Sequence, residues 1–403
     1  MCGDADSIVP RMVEVPVRLS LPAPEYAGSI YEDSAGAQDQ LFRPVPACEG
    51  DDVSRTLGEP LIFAADQLEE LAREIFKGLG SQQREAELVA RHLIEANLCG
   101  HDSHGVGTIP GYARNARAGE LVLNRTLEVT LDLTAMLVCE AGLGAGQVMA
   151  HDAMALGIAR AKQNGSCIVL LRNSHHIGRI GHWAEQCAQA AIVSVHFVNV
   201  VSDPAVAPFG GTRARLGTNP FAVGVPRPDA PPIIVDFATS RWAVGKVRVA
   251  MNKGEAVPPG ILLDSRGLPT TEAAALFGSP AGAVVTFGEH KGWGLSLACE
   301  ILAGALTGGK TQSGPRTRNA VVNSMFSVLI SPEAIGTQDH VAAEIDAVVR
   351  WVKSETDDAG PLVRVPGEPE RETKARRLQE GIPLDAATWQ EIAAAAEQVG
   401  VRI

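Results

Sequence analysis

From Ala64 onwards, apolar residues fall at helical spacing. Leu68, Leu71, Ile75 and Leu79 recur every three or four positions, placing one helix face against a core, before Gly78 and Gly80 break the run. Ser81 is positioned to cap a second helix, whose apolar face runs through Ala86, Val89, Ala90 and Leu93 to Asn97. Gly100 stands where a left-handed residue ends such a helix. These two helices therefore deliver His101-Asp102-Ser103-His104-Gly105 as a loop. Beyond it, the spacing predicts a helix over 146–163 that ends at Asn164-Gly165, a strand over 166–172, a short helix near 181–190 and a strand over 192–201. Strands near 221–226 and 232–236, helix-like sequence over 241–251 and an apolar helix from Lys291 to about Leu306 follow. A strand over 321–330 and an amphipathic helix over 338–354 come next. Asp385 caps a last helix with Trp389, Ile392, Ala393 and Ala396 on one face. Strands alternating with helices predict a mixed α/β fold. No internal repeat or heptad pattern is present.

Residues 1–58 do not share this patterning. They are rich in Pro, Asp, Glu, Ser and Ala without a helical or strand period, and read as a flexible extension to which no role is assigned. The remaining chain is long enough for two domains, and 45% hydrophobic residues among 403 can fill sizeable cores. A formal net charge of -12 with scattered Lys and Arg argues against nucleic acid, which requires clustered basic surface. Apolar runs such as 191–201 are shorter than the ~20 residues that cross a bilayer, and the N-terminus lacks a basic start followed by an apolar run. A soluble protein without a membrane partner is expected. The seven cysteines are widely spaced with no CxxC pair, which points to reduced thiols and a cytoplasmic location.

The segment Gly142-Leu143-Gly144-Ala145-Gly146-Gln147 follows an apolar run and precedes a helix, as a dinucleotide-binding loop does. Gln147 occupies the position that such a fingerprint keeps small, and no acidic residue follows about 20 residues on, so a glycine-rich turn into a helix is the preferred reading. The histidines carry more chemistry. His101, His104, His175, His176, His182 and His290 all fall in loops or at element ends beside Gly, Ser or Asn, where an imidazole can exchange protons near neutral pH. Asp236, Lys291 and Asn219 share those polar segments. A zinc site built on His101, His104 and the 175–176 pair is the rival, but HxxH in a loop without a Glu or Cys pattern is weak, and no metal is expected. No GxSxG elbow supports a serine hydrolase.

Seven motifs in order identify a resemblance. They are His101-Asp-Ser-His-Gly-Val106, Asn173-Ser-His-His-Ile-Gly178, Val206-Ala-Pro-Phe-Gly-Gly211, Leu216-Gly-Thr-Asn-Pro220, Val235-Asp-Phe-Ala-Thr-Ser240, Gly267-Leu-Pro-Thr-Thr271 and His290-Lys-Gly-Trp-Gly294. From about Leu61 to Ile403 the chain resembles the type-2 malate/L-lactate dehydrogenase family, most of all its bacterial hydroxycarboxylate dehydrogenase B group. The resemblance implies an NAD(P)-dependent enzyme that interconverts 2-oxo and 2-hydroxy acids as a homodimer. It implies a mixed α/β cofactor-binding domain over 136–290 without a Rossmann loop. A mostly helical domain would be built from 59–135 and 291–403.

The family's proton-transfer histidine falls on His104, with Ser103 beside it. His176 matches a second acid/base histidine, and Asp236 matches an aspartate expected to orient a histidine. Cofactor contacts carry over to His104, Gly178, Arg179, Ile180, Val235, Asp236, Phe237, Ala238, His290 and Lys291. Asn323 and the turn Pro366, Gly367, Glu368, Pro369 are further transfers, and Thr218 and Asn219 are expected to face the substrate. Many members carry an arginine after SHG that can hold the substrate carboxylate. Thr108 stands there in this chain, which leaves Arg179 or Arg114 for that task. Some relatives reduce the C=N bond of cyclic imino acids, which is the alternative reaction. A zinc-dependent hydrolase and a non-catalytic binding protein are the alternatives outside redox chemistry.

Overall fold

Strand β1 (Leu61–Phe63) leads into α1 (Ala65–Leu79), where Leu68, Leu71, Ala72, Ile75 and Phe76 are buried and Gly80 closes the helix at φ 106°. Helix α2 (Gln83–Leu98) packs on it, burying Val89, Ala90 and Leu93. Each of the larger of these side chains contributes about 1.5–3 kcal/mol by leaving water, and each alanine less. These coordinates are a computed structural model that describes residues 60–313, 318–354 and 363–403, all within the compact unit Gln40–Ile403. The extension expected over 1–58 lies outside the described residues.

Helix α3 (Ile109–Arg117) follows the His101–Gly105 loop. The chain then forms β2 (Glu128–Asp132), β3 (Met136–Glu140), α4 (Gly146–Asn164), β4 (Ser166–His175), α5 (Gly181–Gln189), β5 (Val193–Val201), β6 (Phe221–Val225) and β7 (Ile233–Phe237). Helix α6 (Val244–Lys253) and three short strands, β8 (Leu262–Leu263), β9 (Pro269–Thr270) and β10 (Ala283–Val284), surround a small core of their own that includes Val247, Ile261 and Leu262. The remaining elements are α7 (His290–Cys299), β11 (Val322–Ile330), α8 (Gln338–Lys353), α9 (Glu368–Glu380), β12 (Ile382–Leu384) and α10 (Ala386–Glu397).

Among the described residues, seven strands form one mixed sheet in the order β2-β3-β4-β11-β5-β6-β7. Only β3 and β4 run parallel, joined by the crossover helix α4, and the other neighbours are antiparallel. Strand β11, from the 291–403 segment, lies at the centre of this sheet. The main core joins α1, α2 and α4 to the sheet through Leu71, Leu93, Met149, Met154, Leu171 and Trp183, and β1 pairs with β12 so that both ends of the described chain meet. No described helix is long and apolar enough to cross a membrane.

Three local expectations change. Ser81 does not cap α2. Its hydroxyl donates to Glu85 Oε1 at 2.7 Å, and Gln82 takes the cap position without a side-chain bond. Strand β4 runs three residues beyond the expected end because Ser174 and His175 pair with Asn323 and Val322 of β11, a partnership invisible to apolar alternation. The apolar helix after Lys291 changes at Glu300 into a π-helical turn, Glu300–Leu306, where the buried Glu300 carboxylate accepts from Asn219 Nδ2 and Gln312 N–H. Asp385 caps α10 as expected, its carboxylate accepting from Thr388 N–H at 2.9 Å.

Candidate active site

Three loops converge around His104. The first is the 101–105 loop, which α2 ends by presenting. Asn97 Oδ1 accepts from Val106 N–H at 2.8 Å while its Nδ2 donates to Asp102 Oδ1 at 2.7 Å. A β-carbon on Gly105 would lie 2.1 Å from Asn97 Oδ1, so only glycine lets this loop close so tightly. Arg377 of α9 holds the Asp102 carboxylate through two nitrogens at 2.6 and 3.0 Å, a bidentate clamp that ties the loop to the C-terminal part of the chain.

The second loop leaves the end of β4. His176 lies beside His104 with ring centroids 5.5 Å apart and planes 25° from parallel. Tyr112 of α3 meets His176 Nδ1 at 2.6 Å, and Asn115 meets His175 Nε2 at 3.0 Å. Asn323 braces this loop from β11, accepting from Ile177 N–H at 3.0 Å and donating to Asn199 O at 2.9 Å. The third segment runs from β7 into α6. Asp236 accepts from Gly181 N–H at 2.9 Å, and Gly245 packs so closely on Ser103 that a β-carbon there would lie 2.7 Å from Ser103 Cβ. Phe237 continues from it, its ring 5.3 Å from that of Phe287, just ahead of His290 and Lys291 at the start of α7.

Charge follows from burial. Desolvation pushes the His104 imidazole down to about 4, with His101 and Arg179 adding to the shift and Asp236 opposing it. Burial, together with His104 and His175 beside it, holds His176 well below the ordinary histidine range. Both rings are therefore neutral near pH 7. Ser103 Oγ lies 2.9 Å from His104 Nδ1 and fixes that side of the ring.

Several expected residues are placed differently from what the sequence implies. Arg179 has a side chain only 1% exposed. It forms an ion pair with Glu185 behind the loop, and the pairing outweighs the desolvation that opposes its charge, so it has no open face for a substrate carboxylate. Arg114 is exposed on α3. Asn219 is 0% exposed, with its oxygen on Val200 N–H and its nitrogen on Ser296 O and Glu300, so it braces the fold instead of facing a substrate. The Thr218 carbonyl accepts from the backbone N–H and hydroxyl of Thr239, which ties it to the segment after Asp236. The carboxylate of Asp236 bonds to a backbone N–H, not to a histidine, and reaches His104 through space. Asn323 is likewise spent on bracing.

Among the expected cofactor contacts, Gly178, Arg179 and Ile180 are buried, Val235, Asp236 and Ala238 are half-buried, and Phe237, His290 and Lys291 are exposed. The turn from Pro366 to Pro369 docks on the edge strand, Pro366 O accepting from Ile234 N–H at 3.2 Å, while Glu368 pairs with Lys353. His101 faces Glu370 at 3.7 Å. No group of three or more His, Cys, Asp or Glu among the described residues is arranged to hold a metal ion. The glycine-rich turn at 142–147 packs on the second loop, with a β-carbon at Gly146 lying 2.1 Å from His176 O.

The family profile described as malate/L-lactate dehydrogenase matches residues 63–393. The chain belongs to the malate/L-lactate dehydrogenase family. It is 48% identical to hydroxycarboxylate dehydrogenase B of Escherichia coli strain K12, over 84% of this chain and 94% of that one. It is 39% identical to L-lactate dehydrogenase of Cupriavidus necator, over 83% and 97%. A solved Δ1-piperideine-2-carboxylate reductase from Pseudomonas syringae pv. tomato superposes with a TM-score of 0.74 at 30% identity, over 83% and 99%. Membership of the malate/L-lactate dehydrogenase family makes the chain an oxidoreductase.

Sequence reasoning gave no site role to Tyr112, Gln147, Asn97 or Arg377. Tyr112 lies on an amphipathic helix and reads as a core aromatic, and its role appears only when β4 brings His176 against it. Asn97 stood on the expected apolar face of α2, and a polar residue on such a face is the signal that marked it.

Proposed function

We propose that this protein is a nicotinamide-dependent oxidoreductase that interconverts 2-oxo acids and 2-hydroxy acids, with His104 as the proton-exchanging residue. The observation that carries the reading is the neutral His104–His176 pair at the junction of three loops, with Ser103 on one ring nitrogen and the Asp236 charge nearby. An imidazole there can take a proton from a hydroxyl or return it to an alkoxide. The bound nicotinamide supplies the hydride that C2 of the oxo acid gains, or accepts it in reverse.

The chain's own residues fit that cofactor. Phe237 offers an exposed ring at the edge strand, and His290 and Lys291 offer exposed basic side chains at the start of α7, charges that suit a phosphate. Gly146 is occupied in seating the His176 loop, and Gly142 and Gly144 pack against Arg125, which supports a cofactor site without a Rossmann phosphate turn. Asp236 counters part of the burial effect on His104 and so favours the protonated form needed to donate in the reductive direction.

A second reading, reduction of a cyclic imino acid, has the piperideine-carboxylate reductase relative behind it, since the same proton donor serves a C=N bond. The test is oxidation of NADH and NADPH, followed by absorbance, with phenylpyruvate, 2-oxoglutarate, oxaloacetate, pyruvate and a cyclic imino acid. Turnover of a 2-oxo acid at least tenfold above the imine is the expected result. Preference for the imine, or silence throughout, overturns the 2-oxo acid reading.

A further inference from the structure

The hydroxyl of Tyr112 settles a question that the stacked histidines leave open, namely which of them moves a proton. Tyr112 is 5% exposed. Gln147 Nε2 lies 3.0 Å from its oxygen and, as a carboxamide nitrogen, can only donate, so the phenol oxygen is an acceptor there. The phenol then has one proton of its own to place. Burial pushes its pKa up to about 12, so that proton stays on oxygen at neutral pH. Its two possible acceptors are His176 Nδ1 at 2.6 Å and the hydroxyl of Thr108, whose own proton goes to Gly105 O. The imidazole nitrogen is the more basic and takes it. His176 is neutral and carries a single ring proton, which is thereby confined to Nε2. The Nδ1 edge is the one packed against Tyr112 and Gln147, so in this half-buried ring the Nε2 edge is left for a ligand.

We propose that Tyr112 is a positioning residue that locks His176 as a permanent Nε2–H donor to a substrate oxygen, leaving His104 as the only proton-exchanging imidazole of the pair. This rests on the 2-oxo acid reading for the identity of the acceptor, a carbonyl or carboxylate oxygen, but not for the tautomer. A ring already protonated on Nε2 and held on Nδ1 by a phenol cannot serve as a base through Nε2. As an acid it would have to leave as an imidazolate or strip the proton from a buried phenol whose pKa lies near 12, and both are costly near neutral pH. Its contribution is therefore a fixed hydrogen bond, made without any proton changing owner. It also supplies a donor that neither Thr108 nor the buried Arg179 can give the substrate.

The test begins with ligand-free protein labelled with ¹⁵N-histidine, read by long-range ¹H–¹⁵N correlation near neutral pH, with the His176 signals assigned by their loss in His176→Gln. The expected spectrum shows His176 protonated on Nε2, with Tyr112→Phe shifting it towards Nδ1–H. Wild type protonated on Nδ1, or a tautomer indifferent to Tyr112→Phe, overturns the proposal. Should the phenylalanine variant fail to fold, the wild-type tautomer decides alone. The kinetic arm compares His176→Gln, which keeps an N–H donor, with His176→Leu, which does not. The glutamine variant is expected to stay within about tenfold of wild type in kcat/KM, and leucine to lose a further 10- to 100-fold, roughly what a hydrogen bond to a charged oxygen is worth. Equal losses in both overturn the donor role. Absence of any 2-oxo acid turnover overturns the proposed reaction, while the tautomer is still read on the free protein.

Discussion

Replacing His104 with glutamine is expected to lower kcat by about 10²–10⁴-fold while leaving the melting temperature within a degree or two of wild type. Glutamine fills similar space and keeps a hydrogen-bonding group for Ser103, but it cannot shuttle a proton. His104 is held in place by the loop clamped through Asn97, Asp102 and Arg377, not by its own side chain, so the fold should tolerate the change. The pH dependence carries the same signature. With its imidazole pushed down to about 4 by burial, His104 remains a neutral base throughout the usual working range. For oxidation of a hydroxy acid, kcat/KM should therefore stay level from about pH 8 to about pH 5.5 and fall only as the pH drops towards the folded-state value. An ordinary histidine would already show a decline around 6.5. The remaining low-pH limb should vanish in His104→Gln. Retention of most of kcat in that variant, or a decline centred near 6.5 in wild type, contradicts the assignment.

Gly146→Ala is expected to damage stability and catalysis together. Its β-carbon would meet His176 O at 2.1 Å and His175 O at 2.5 Å, both backbone atoms that no rotamer change can move aside. Overpacking of this kind costs about 1–3 kcal/mol, and the strain falls on the strand end that carries His176. A lower midpoint in thermal or urea unfolding is expected, along with roughly a tenfold or larger loss of kcat/KM, because displacement of a catalytic loop by a fraction of an ångström is enough to disturb alignment. Gly294→Ala is the control, since a β-carbon there meets nothing within 4 Å and alanine favours the helix. If Gly146→Ala matched that control in stability and rate, the close seating of the His176 loop on the glycine turn would be refuted.

The parts of this architecture that sequence revealed are those governed by local rules. Leu68, Leu71 and Ile75 announce α1 by spacing alone, Asp385 caps α10 by its position, and His104 stands out because its neighbours Ser103 and Gly105 forbid an apolar packing role. What stayed hidden depends on partners distant in the chain. The polar end of β4 is a strand only because β11 supplies register, setting Val322 and Asn323 opposite His175 and Ser174. Arg179 looked like a substrate-binding cation because its sequence neighbours are polar and glycine-rich, and it is buried because Glu185, six residues on, lies across the same helix entry. Asn219 sits within a motif that carries the resemblance and Asn323 is a further transfer from it, yet Asn219 spends its amide on backbone and on Glu300 and Asn323 spends its own on backbone, so the resemblance marked them without distinguishing support from contact. Tyr112 was invisible for the opposite reason, since a buried aromatic on an apolar helix face is expected to do nothing but pack.

The most direct test of the central claim follows the hydride itself. NADH or NADPH carrying deuterium at both positions on C4 of the reduced ring would be incubated with whichever oxo acid the absorbance panel selects, in ordinary water, and the product analysed by mass spectrometry. Direct transfer, with His104 delivering only the proton to oxygen, predicts a 2-hydroxy acid bearing a single deuterium at C2. A product free of deuterium while the labelled cofactor is consumed would contradict the account.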